Sequence, residues 1–346
     1  MNKNDIVGGI GEVKLIHIIE DIILKKTGKE LIRDDSFFFE IDNRKDTDHL
    51  VLNSDMFNAT TDAPTQMNFY QMGRKSVLMN ISDLIVKGVK PEGLIVSLGL
   101  PDDCKILDFK SLIEGIVDYS KAWNLNYLGG DINSSNEIII NPTVFGFKKR
   151  NEIIYRTGLK PDNIVAINNK FGLTGVGFDI ILNKNGNLED FSKYERAIKS
   201  VLEPNELGIE GIILADNNLA TASIDSSDGL SKSLEDLSMS VPNLGFEIEF
   251  DESLIHPDAL QYSKEFPISL ERLVFSGGEE FIHIFTIERK NFELAVKLVE
   301  SKGGKLIKVG RVIPEEKIYF LKEGKRIQLK SKGYQHFKKL PLRKSL

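Results

Sequence analysis

Two aspartates stand between an apolar strand and a helix in the stretch Ala222-Ser223-Ile224-Asp225-Ser226-Ser227-Asp228-Gly229-Leu230. The apolar residues up to Ile224 predict a buried strand, and the spacing after Leu230 predicts a helix. Ligand crevices in α/β sheets form at such strand ends. The glycine lets backbone amides approach an anion closely. This stretch therefore predicts an α/β fold with a ligand site at the end of the strand.

Similar acidic motifs recur along the chain, next to three more predicted strands (37–39, 49–52 and 126–128) and inside a predicted helix (69–87). They are Asp34-Asp35, Asn53-Ser54-Asp55, Gly129-Gly130-Asp131, and Asp83 on a polar stripe with Asn80 and Lys87. Taken one at a time, such motifs are more often turns or helix caps than ligands. Because all of them follow the same pattern, together they predict carboxylates that hold hard divalent cations.

Length and composition exclude several classes of protein. The chain has 346 residues, with 45 Lys+Arg against 51 Asp+Glu, a formal charge of −6 and 41% hydrophobic residues. This length predicts about two domains, and the acidic balance argues against nucleic-acid binding. Cys104 is the single cysteine, so an intrachain disulfide is excluded. We expect a cytoplasmic protein without a signal peptide or membrane span.

Both halves of the chain alternate predicted helices and strands. The segment 148–162 is first basic and then polar, and it contains Gly158 and Pro161. We therefore expect one α/β domain over 1–150 and a second over 151–346.

Other catalytic patterns are weak. The sequence contains no Walker A loop and no Gly-x-Ser-x-Gly elbow. His283 lies in a predicted apolar strand over 281–285, which favours a hydrogen-bonded core histidine over a catalytic one. Nucleophilic catalysis therefore has no candidate residue in this sequence.

The order of the motifs resembles that of the thiamine-monophosphate kinase family, within the superfamily of aminoimidazole ribonucleotide synthetase. Further matching motifs span nearly the whole chain: Gly11-Glu12-Val13, Gly73-Arg74-Lys75, Asn80-Ile81-Ser82-Asp83, Arg156-Thr157-Gly158, Ser276-Gly277-Gly278-Glu279-Glu280-Phe281 and Gly333-Tyr334-Gln335-His336-Phe337. The last of them points to this kinase rather than to its superfamily relatives.

The resemblance implies two mixed α/β domains, with the N-terminal sheet pairing across a homodimer. It implies an N-terminal domain that binds ATP and metal, and a C-terminal domain that completes the nucleotide and substrate cleft. ATP is the implied co-substrate, several Mg²⁺ ions the cofactor, and thiamine monophosphate the acceptor, with direct in-line transfer of the γ-phosphoryl group. The implied metal ligands are Asp34, Asp35, Asp55, Asp83, Asp131 and Asp228. The implied catalytic residues are Asp131 and Asp228, the nucleotide contacts are Ser54, Gly129, Gly130, Arg156 and Ser227, and the substrate contacts are Glu279 and Tyr334.

Two departures from the family pattern leave alternatives open. Asn53 stands where the family usually has threonine, and the segment 58–67 lacks the histidine that the family commonly uses to hold substrate. One alternative is therefore an ATP-dependent enzyme of the same superfamily that acts on another phosphorylated small molecule. Another is a non-catalytic nucleotide-binding dimer.

Overall fold

The computed structural model describes residues 12–28, 30, 34–40, 48–183 and 188–330. Three features of the sequence lie outside these residues: Gly11 of the first family motif, residues 42–47 between the first two predicted strands, and Tyr334 with the rest of its motif.

The first half of the chain forms a six-stranded sheet with strand order β1-β2-β6-β4-β5, and β3 also pairs with β6. Its strands are β1 (Phe37–Glu40), β2 (Asp48–Asn53), β3 (Phe57–Asn58), β4 (Pro91–Leu100), β5 (Asn126–Ser134) and β6 (Ile139–Lys149). Only the pairing of β4 with β5 is parallel among these described strands. Strand β5 stands last in the strand order and is therefore an edge of the sheet.

Four helices accompany this sheet: α1 (Glu12–Thr27), α2 (Ala59–Asp62), α3 (Phe69–Val86) and α4 (Ile106–Ala122). Helix α3 begins with a capping box in which Asn68 and Gln71 satisfy each other's backbone N–H groups. It approaches α4 closely, since a Cβ on Gly73 would lie 2.1 Å from the Leu112 carbonyl oxygen. Most residues of α3 are buried, including the polar stripe predicted from its sequence.

The second half forms a seven-stranded sheet whose strands are β7 (Ile164–Ile167), β8 (Ala220–Ile224), β9 (Gly245–Glu249), β10 (Ile284–Ile287), β11 (Ile307–Ile313), β12 (Ile318–Lys322) and β13 (Lys325–Gln328). Their order is β13-β12-β9-β11-β7-β10-β8. Its helices are α5 (Leu173–Asn183), α6 (Glu195–Leu202), α7 (Glu210–Asp216), α8 (Leu230–Ser240), α9 (Pro257–Glu265), α10 (Leu270–Ser276) and α11 (Phe292–Ser301). Short 3₁₀ helices occupy Arg150–Glu152, Arg156–Gly158, Leu188–Tyr194 and Arg289–Asn291. Because each sheet lies with helices of its own half, the mixed α/β class predicted from the sequence is confirmed.

The end of α3 joins the two halves. Val86 packs in one apolar cluster with Leu214 of α7 and Phe285 of β10. The following residue, Lys87, donates from Nζ to the Ser223 carbonyl oxygen of β8 at 2.6 Å. The polar residues near the end of α3 therefore lie between the two sheets. The predicted boundary near residue 150 falls between the two sheets in sequence and stays a prediction.

Two predicted strand limits are wrong. Gly129-Gly130-Asp131 does not follow a strand but lies inside β5, because parallel pairing with β4 continues to Ser134. A Cβ on Gly130 would lie 1.8 Å from the Val96 carbonyl oxygen, so only glycine permits this pairing. The strand predicted over 281–285 begins instead at Ile284, since Phe281 takes a left-handed backbone conformation (φ +48°).

Among the described residues, no helix combines the length and the apolar character needed to cross a membrane.

Candidate active site

Three buried carboxylates meet where the two halves join. Asp35, Asp83 and Asp225 each offer an oxygen, and these oxygens all lie within 4.8 Å of one another. Asp35 precedes β1, Asp83 lies on α3, and Asp225 directly follows β8. Residues 190 positions apart in sequence are thus brought to one point by the packing of α3 against both sheets. We call Asp35, Asp83 and Asp225 the carboxylate cluster.

Short hydrogen bonds hold the carboxylate cluster in place. Asn53, the last residue of β2, donates from Nδ2 to Asp83 Oδ2 at 2.8 Å and to the Asp35 carbonyl oxygen at 2.9 Å. Ser82 donates from Oγ to Asp225 Oδ2 at 2.6 Å. The three carboxylates are therefore connected through neighbouring residues on α3 and β2.

Two cations contact the aspartate pair at the start of β1. Lys87 Nζ lies 2.8 Å from Asp34 Oδ1 and 2.5 Å from Asp35 Oδ2. The guanidinium of Arg156 pairs with Asp35, and the backbone N–H of Arg156 donates to Asp34 Oδ2 at 3.1 Å. Burial opposes ionisation of Asp35, but Arg156 and Lys87 outweigh it and hold its pKa below the ordinary value.

Asp55 lies beside the carboxylate cluster. Asn80 on α3 holds its backbone, since Asp55 N–H donates to Asn80 Oδ1 at 2.7 Å and Asn80 Nδ2 donates back to the Asp55 carbonyl oxygen at 3.0 Å. Burial raises the pKa of the Asp55 carboxyl, although a hydrogen bond with Asp83 opposes this shift.

The crowding of carboxylates also shifts the pKa of two cluster members upward. Burial, together with the charges of Asp225, Asp55 and Asp35, raises the pKa of Asp83 well above its ordinary value. Burial and the nearby charge of Asp35 raise the pKa of Asp225 to about 7. Such shifts are typical of acidic groups placed together for a charged ligand.

The donor set fits a hard divalent cation. Five carboxylates (Asp34, Asp35, Asp55, Asp83 and Asp225) face two cations, Lys87 and Arg156, which leaves an excess of three negative charges when all are ionised. Asn53 adds a buried Oδ1 without a hydrogen-bond partner. Buried charges need compensation, and carboxylate and amide oxygens are the ligands that Mg²⁺ and Ca²⁺ prefer.

Several residues predicted for the site lie elsewhere. Asp131 is an exposed residue of β5, and Asp228 is half-buried in the turn before α8; neither belongs to the carboxylate cluster. Ser54 is exposed at the end of β2, with Oγ 2.8 Å from Thr143 Oγ1 on β6. Gly129 and Gly130 lie on β5 as well. The roles predicted for these residues stay predictions.

Glu279 lies in a loop that docks on the turn after β8. Its own N–H donates to the Ser227 carbonyl oxygen at 2.5 Å, and Phe281 N–H donates to Ser226 at 2.9 Å. Both Glu279 and Phe281 take left-handed conformations. The Glu279 carboxylate accepts a 2.6 Å bond from Lys75 on α3, and its Oε2 has no hydrogen-bond partner.

His283 is fully buried, and its Nε2 lies 3.3 Å from Ser82 Oγ. Burial lowers the pKa of His283 to about 3, so the imidazole stays neutral at physiological pH. This agrees with the prediction of a hydrogen-bonded core histidine.

Two residues of the site, Asp225 and Lys87, lie in motifs quoted from the sequence but are absent from its predicted site residues. Asp225, rather than its motif neighbour Asp228, joins the carboxylate cluster, although Asp225 directly follows the strand and thus carries the stronger signal. In the sequence, Lys87 is part of a polar stripe on a predicted helix. Such a stripe usually faces solvent, so it does not indicate a buried ion pair. Nothing in the spacing indicated that Lys87 pairs with Asp34 and Asp35.

Comparison with protein families matches residues 33–147 to the AIR synthase related protein, N-terminal domain. The fold and its acidic site thus define a member of the AIR synthase related class. The thiamine-monophosphate kinase of Pyrococcus abyssi is 31% identical over 306 residues, which cover 86% of this chain and 92% of the relative. The chain therefore belongs to the thiamine-monophosphate kinase family, and the assignment made from the motifs is confirmed.

A further relative is similar in sequence, and two solved structures are similar in fold. The thiamine-monophosphate kinase of Nitrosopumilus maritimus is 29% identical over 290 residues, which cover 84% of this chain and 90% of the relative. A solved complex of AaThiL with AMPPCP and TMP superposes with a TM-score of 0.78 at 23% identity, covering 96% of this chain and 98% of the other. The thiamine monophosphate kinase of Aquifex aeolicus gives 0.74 at 22% identity, with coverage of 91% and 99%. The predicted two-sheet fold is confirmed by these likenesses, while the predicted pairing of sheets across a dimer stays a prediction.

We predict that the metal-free protein becomes less stable as the pH rises. Because the folded-state pKa of Asp225 is about 7, above the ordinary 3.8, its contribution is complete below about pH 4 and is lost progressively up to about pH 7. The slope should reach up to about 1.4 kcal/mol per pH unit. Asp225→Asn removes one titrating group and should reduce the slope, while Asp83 and Glu280, whose pKa values are also raised, keep part of the dependence. Urea unfolding at a series of pH values with EDTA measures it. The exposed Asp102→Asn serves as control, and equal slopes in wild type and Asp225→Asn would contradict the assignment.

Proposed function

We propose that this chain transfers the γ-phosphoryl group of ATP directly to the phosphate of thiamine monophosphate, which yields thiamine diphosphate and ADP. The observation that carries the proposal is the carboxylate cluster of Asp35, Asp83 and Asp225, in a chain of the thiamine-monophosphate kinase family. The bound molecules named for the AaThiL complex, AMPPCP and TMP, support the same pair of substrates.

The chemistry of the reaction suits this site. The acceptor phosphate is already anionic near neutral pH, because the second pKa of a phosphate monoester is about 6. A general base is therefore unnecessary, and His283, whose pKa burial lowers to about 3, is too weak a base to serve as one. The obstacle is the repulsion between two anionic substrates, which positioning and charge neutralisation must overcome.

We propose Mg²⁺ as the cofactor, held by Asp35, Asp83 and Asp225 and supported by Asp55. When bound, such cations neutralise phosphate charge and orient the phosphoryl group. The chain's own residues would do the rest: Asn53 and Ser82 orient the carboxylates, and Arg156 contacts a nucleotide phosphate. We propose that further residues contribute when metal and nucleotide are bound. The additional metal ligands would be Asp34, Asp131 and Asp228, and the additional nucleotide contacts would be Ser54, Gly129, Gly130 and Ser227.

Phosphoryl transfer should depend strongly on the carboxylate cluster. We expect Asp225→Asn to lower kcat by about 100-fold or more, because weakened charge neutralisation costs several kcal/mol in the transition state. The measurement is incubation of purified protein with Mg-ATP and thiamine monophosphate, with thiamine diphosphate identified by mass and ADP release followed in a coupled assay. The exposed Asp102→Asn should keep the wild-type rate. Asp131→Asn and Asp228→Asn, assayed alongside, test the two residues predicted to be catalytic.

Each proposal has an outcome that would refute it. A wild-type rate in Asp225→Asn would remove the carboxylate cluster from the mechanism. Binding of Mg-ATP by isothermal titration, without turnover of any phosphate monoester, would favour the non-catalytic module. Turnover of a different phosphate monoester in preference to thiamine monophosphate would favour another acceptor, the alternative raised by the segment 58–67.

We propose that the organic part of the acceptor contacts Glu279 and Tyr334. Glu279 is held by Lys75 and presents an unpartnered Oε2 beside a small pocket that includes Asn169 and Thr174. This oxygen can accept a hydrogen bond from the amino group of thiamine. Tyr334 would contribute stacking area.

Loss of these contacts should affect the acceptor rather than ATP. Glu279→Gln and Tyr334→Ala are each expected to raise the KM for thiamine monophosphate about tenfold, the effect of losing roughly 1.4 kcal/mol, with little change in the KM for Mg-ATP. Steady-state kinetics with each substrate varied in turn give both constants. An equal rise in both KM values would show that these residues do not recognise the acceptor.

We also propose that the chain forms a homodimer through β5. This strand is an edge of the first sheet, and it exposes Tyr127, Leu128 and Ile132 at 42%, 60% and 61%. An exposed apolar edge strand is usually covered by another chain.

A charge on this edge should separate the subunits. We expect Ile132→Lys to sediment as a monomer where the wild type sediments as a dimer, because burial of a lysine between two strands is costly. Leu107→Lys, at an exposed apolar position of α4, is the control and should not change the assembly. Analytical ultracentrifugation at several concentrations measures this. A dimer that persists in Ile132→Lys would place the interface elsewhere.

A further inference from the structure

Lys87 is a lysine without exposed surface at the C-terminal end of α3. Burial of an ammonium group is costly unless hydrogen bonds and opposite charges compensate for it. A cation at the C-terminus of a helix is also favoured by the helix dipole. The groups around Lys87 must therefore compensate for the burial of its ammonium group.

The ammonium group of Lys87 contacts both halves of the chain. Nζ lies 2.8 Å from Asp34 Oδ1 and 2.5 Å from Asp35 Oδ2, in the segment before β1. On the other side it donates to the Ser223 carbonyl oxygen at 2.6 Å, on β8, the strand that Asp225 directly follows. A single positive charge thus touches one member of the carboxylate cluster and the strand that carries another.

Without Lys87 the charge balance would change. In the wild type, the five neighbouring carboxylates exceed the two cations, Lys87 and Arg156, by three negative charges when all are ionised. Removal of Lys87 would raise this excess to four and leave Asp34 Oδ1 with only the more distant Arg156 Nε, 4.0 Å away, among the described residues. An additional negative charge in a buried site strengthens the attraction for a divalent cation.

We propose that Lys87 is a permanent internal counter-cation of the active site. It keeps the aspartates before β1 and the end of β8 together before any metal binds. In doing so it also weakens the affinity of the site for divalent cations, so that Mg²⁺ enters and leaves with nucleotide rather than remaining bound. This inference rests on the cation site of the proposed function, but not on the identity of the phosphate acceptor.

The test compares Lys87→Gln with the wild type in a titration of Mg²⁺ alone, followed by thermal unfolding. Glutamine keeps a donor for Ser223 but removes the charge. We expect a lower Tm for Lys87→Gln without metal and a larger rise in Tm with Mg²⁺, with a midpoint concentration more than about tenfold lower than in the wild type. NaCl at equal ionic strength separates cation binding from screening.

Lys75→Gln is the matched control. Lys75 lies on the same helix with its side chain 2% exposed, and it pairs with Glu279 rather than with the carboxylate cluster. Its loss should lower the Tm equally with and without Mg²⁺. If Lys87→Gln behaved in the same way, or responded to Mg²⁺ less than the wild type does, Lys87 would be only a structural bridge.

The double variant Asp34→Asn/Lys87→Gln removes one charge of each sign. We expect it to regain most of the metal-free Tm, even where Lys87→Gln alone does not fold, and to lack the stronger response to Mg²⁺ of Lys87→Gln, because its net charge at the site equals that of the wild type. A double variant as unstable as the single one would overturn the inference. Absence of any response to Mg²⁺ in both the wild type and Lys87→Gln would overturn the cation site itself, and this inference with it, whereas equal responses in the two proteins would overturn only the inference.

Discussion

Buried charge at the junction of the two sheets constrains the structure around it. Asp34 and Asp35 come from the segment before β1, Lys87 from the end of α3 and Arg156 from the 3₁₀ helix that precedes the second sheet. None of these charges can be left unpaired in the interior without a penalty of several kcal/mol. The segments that carry them must therefore keep their relative positions, and this fixes how the two halves meet.

The same constraint creates the site. Asp83 and Asp225 are brought beside Asp35 by the elements that the ion pairs hold together, yet they receive no cation of their own among the described residues. Burial first, and then the like charges around them, raise the pKa values of both carboxyl groups, so that keeping them ionised here costs stability. Such a cost is typical of sites that complete their charge balance with a ligand.

The sequence could predict much of this, for physical reasons that also explain its failures. Aspartates beside apolar strands (Asp35 and Asp55) and on the polar stripe of a helix (Asp83) predict one common site, and the three lie close together in the structure. Their role as metal ligands stays a prediction. The resemblance to the family selects Asp228, although Asp225 directly follows the strand. Asp225 is held in the carboxylate cluster by a hydrogen bond from Ser82 on α3, a contact that depends on tertiary packing. Local pattern could not reveal the partner of Lys87 either, since that contact depends on tertiary packing across 136 residues of sequence.

The segment 58–67, which lacks the histidine common in the family, is connected to the loop of Glu279. Lys75 joins this segment to the loop of Glu279, since its Nζ donates both to the Asp62 carbonyl oxygen at 2.7 Å and to Glu279 Oε1 at 2.6 Å. Asp62 in turn accepts from the backbone N–H of Asn58 at 2.7 Å. The segment without the histidine and the loop that carries Glu279 are therefore one connected unit. A change of residue in one part therefore alters the support of the other, because Lys75 holds both.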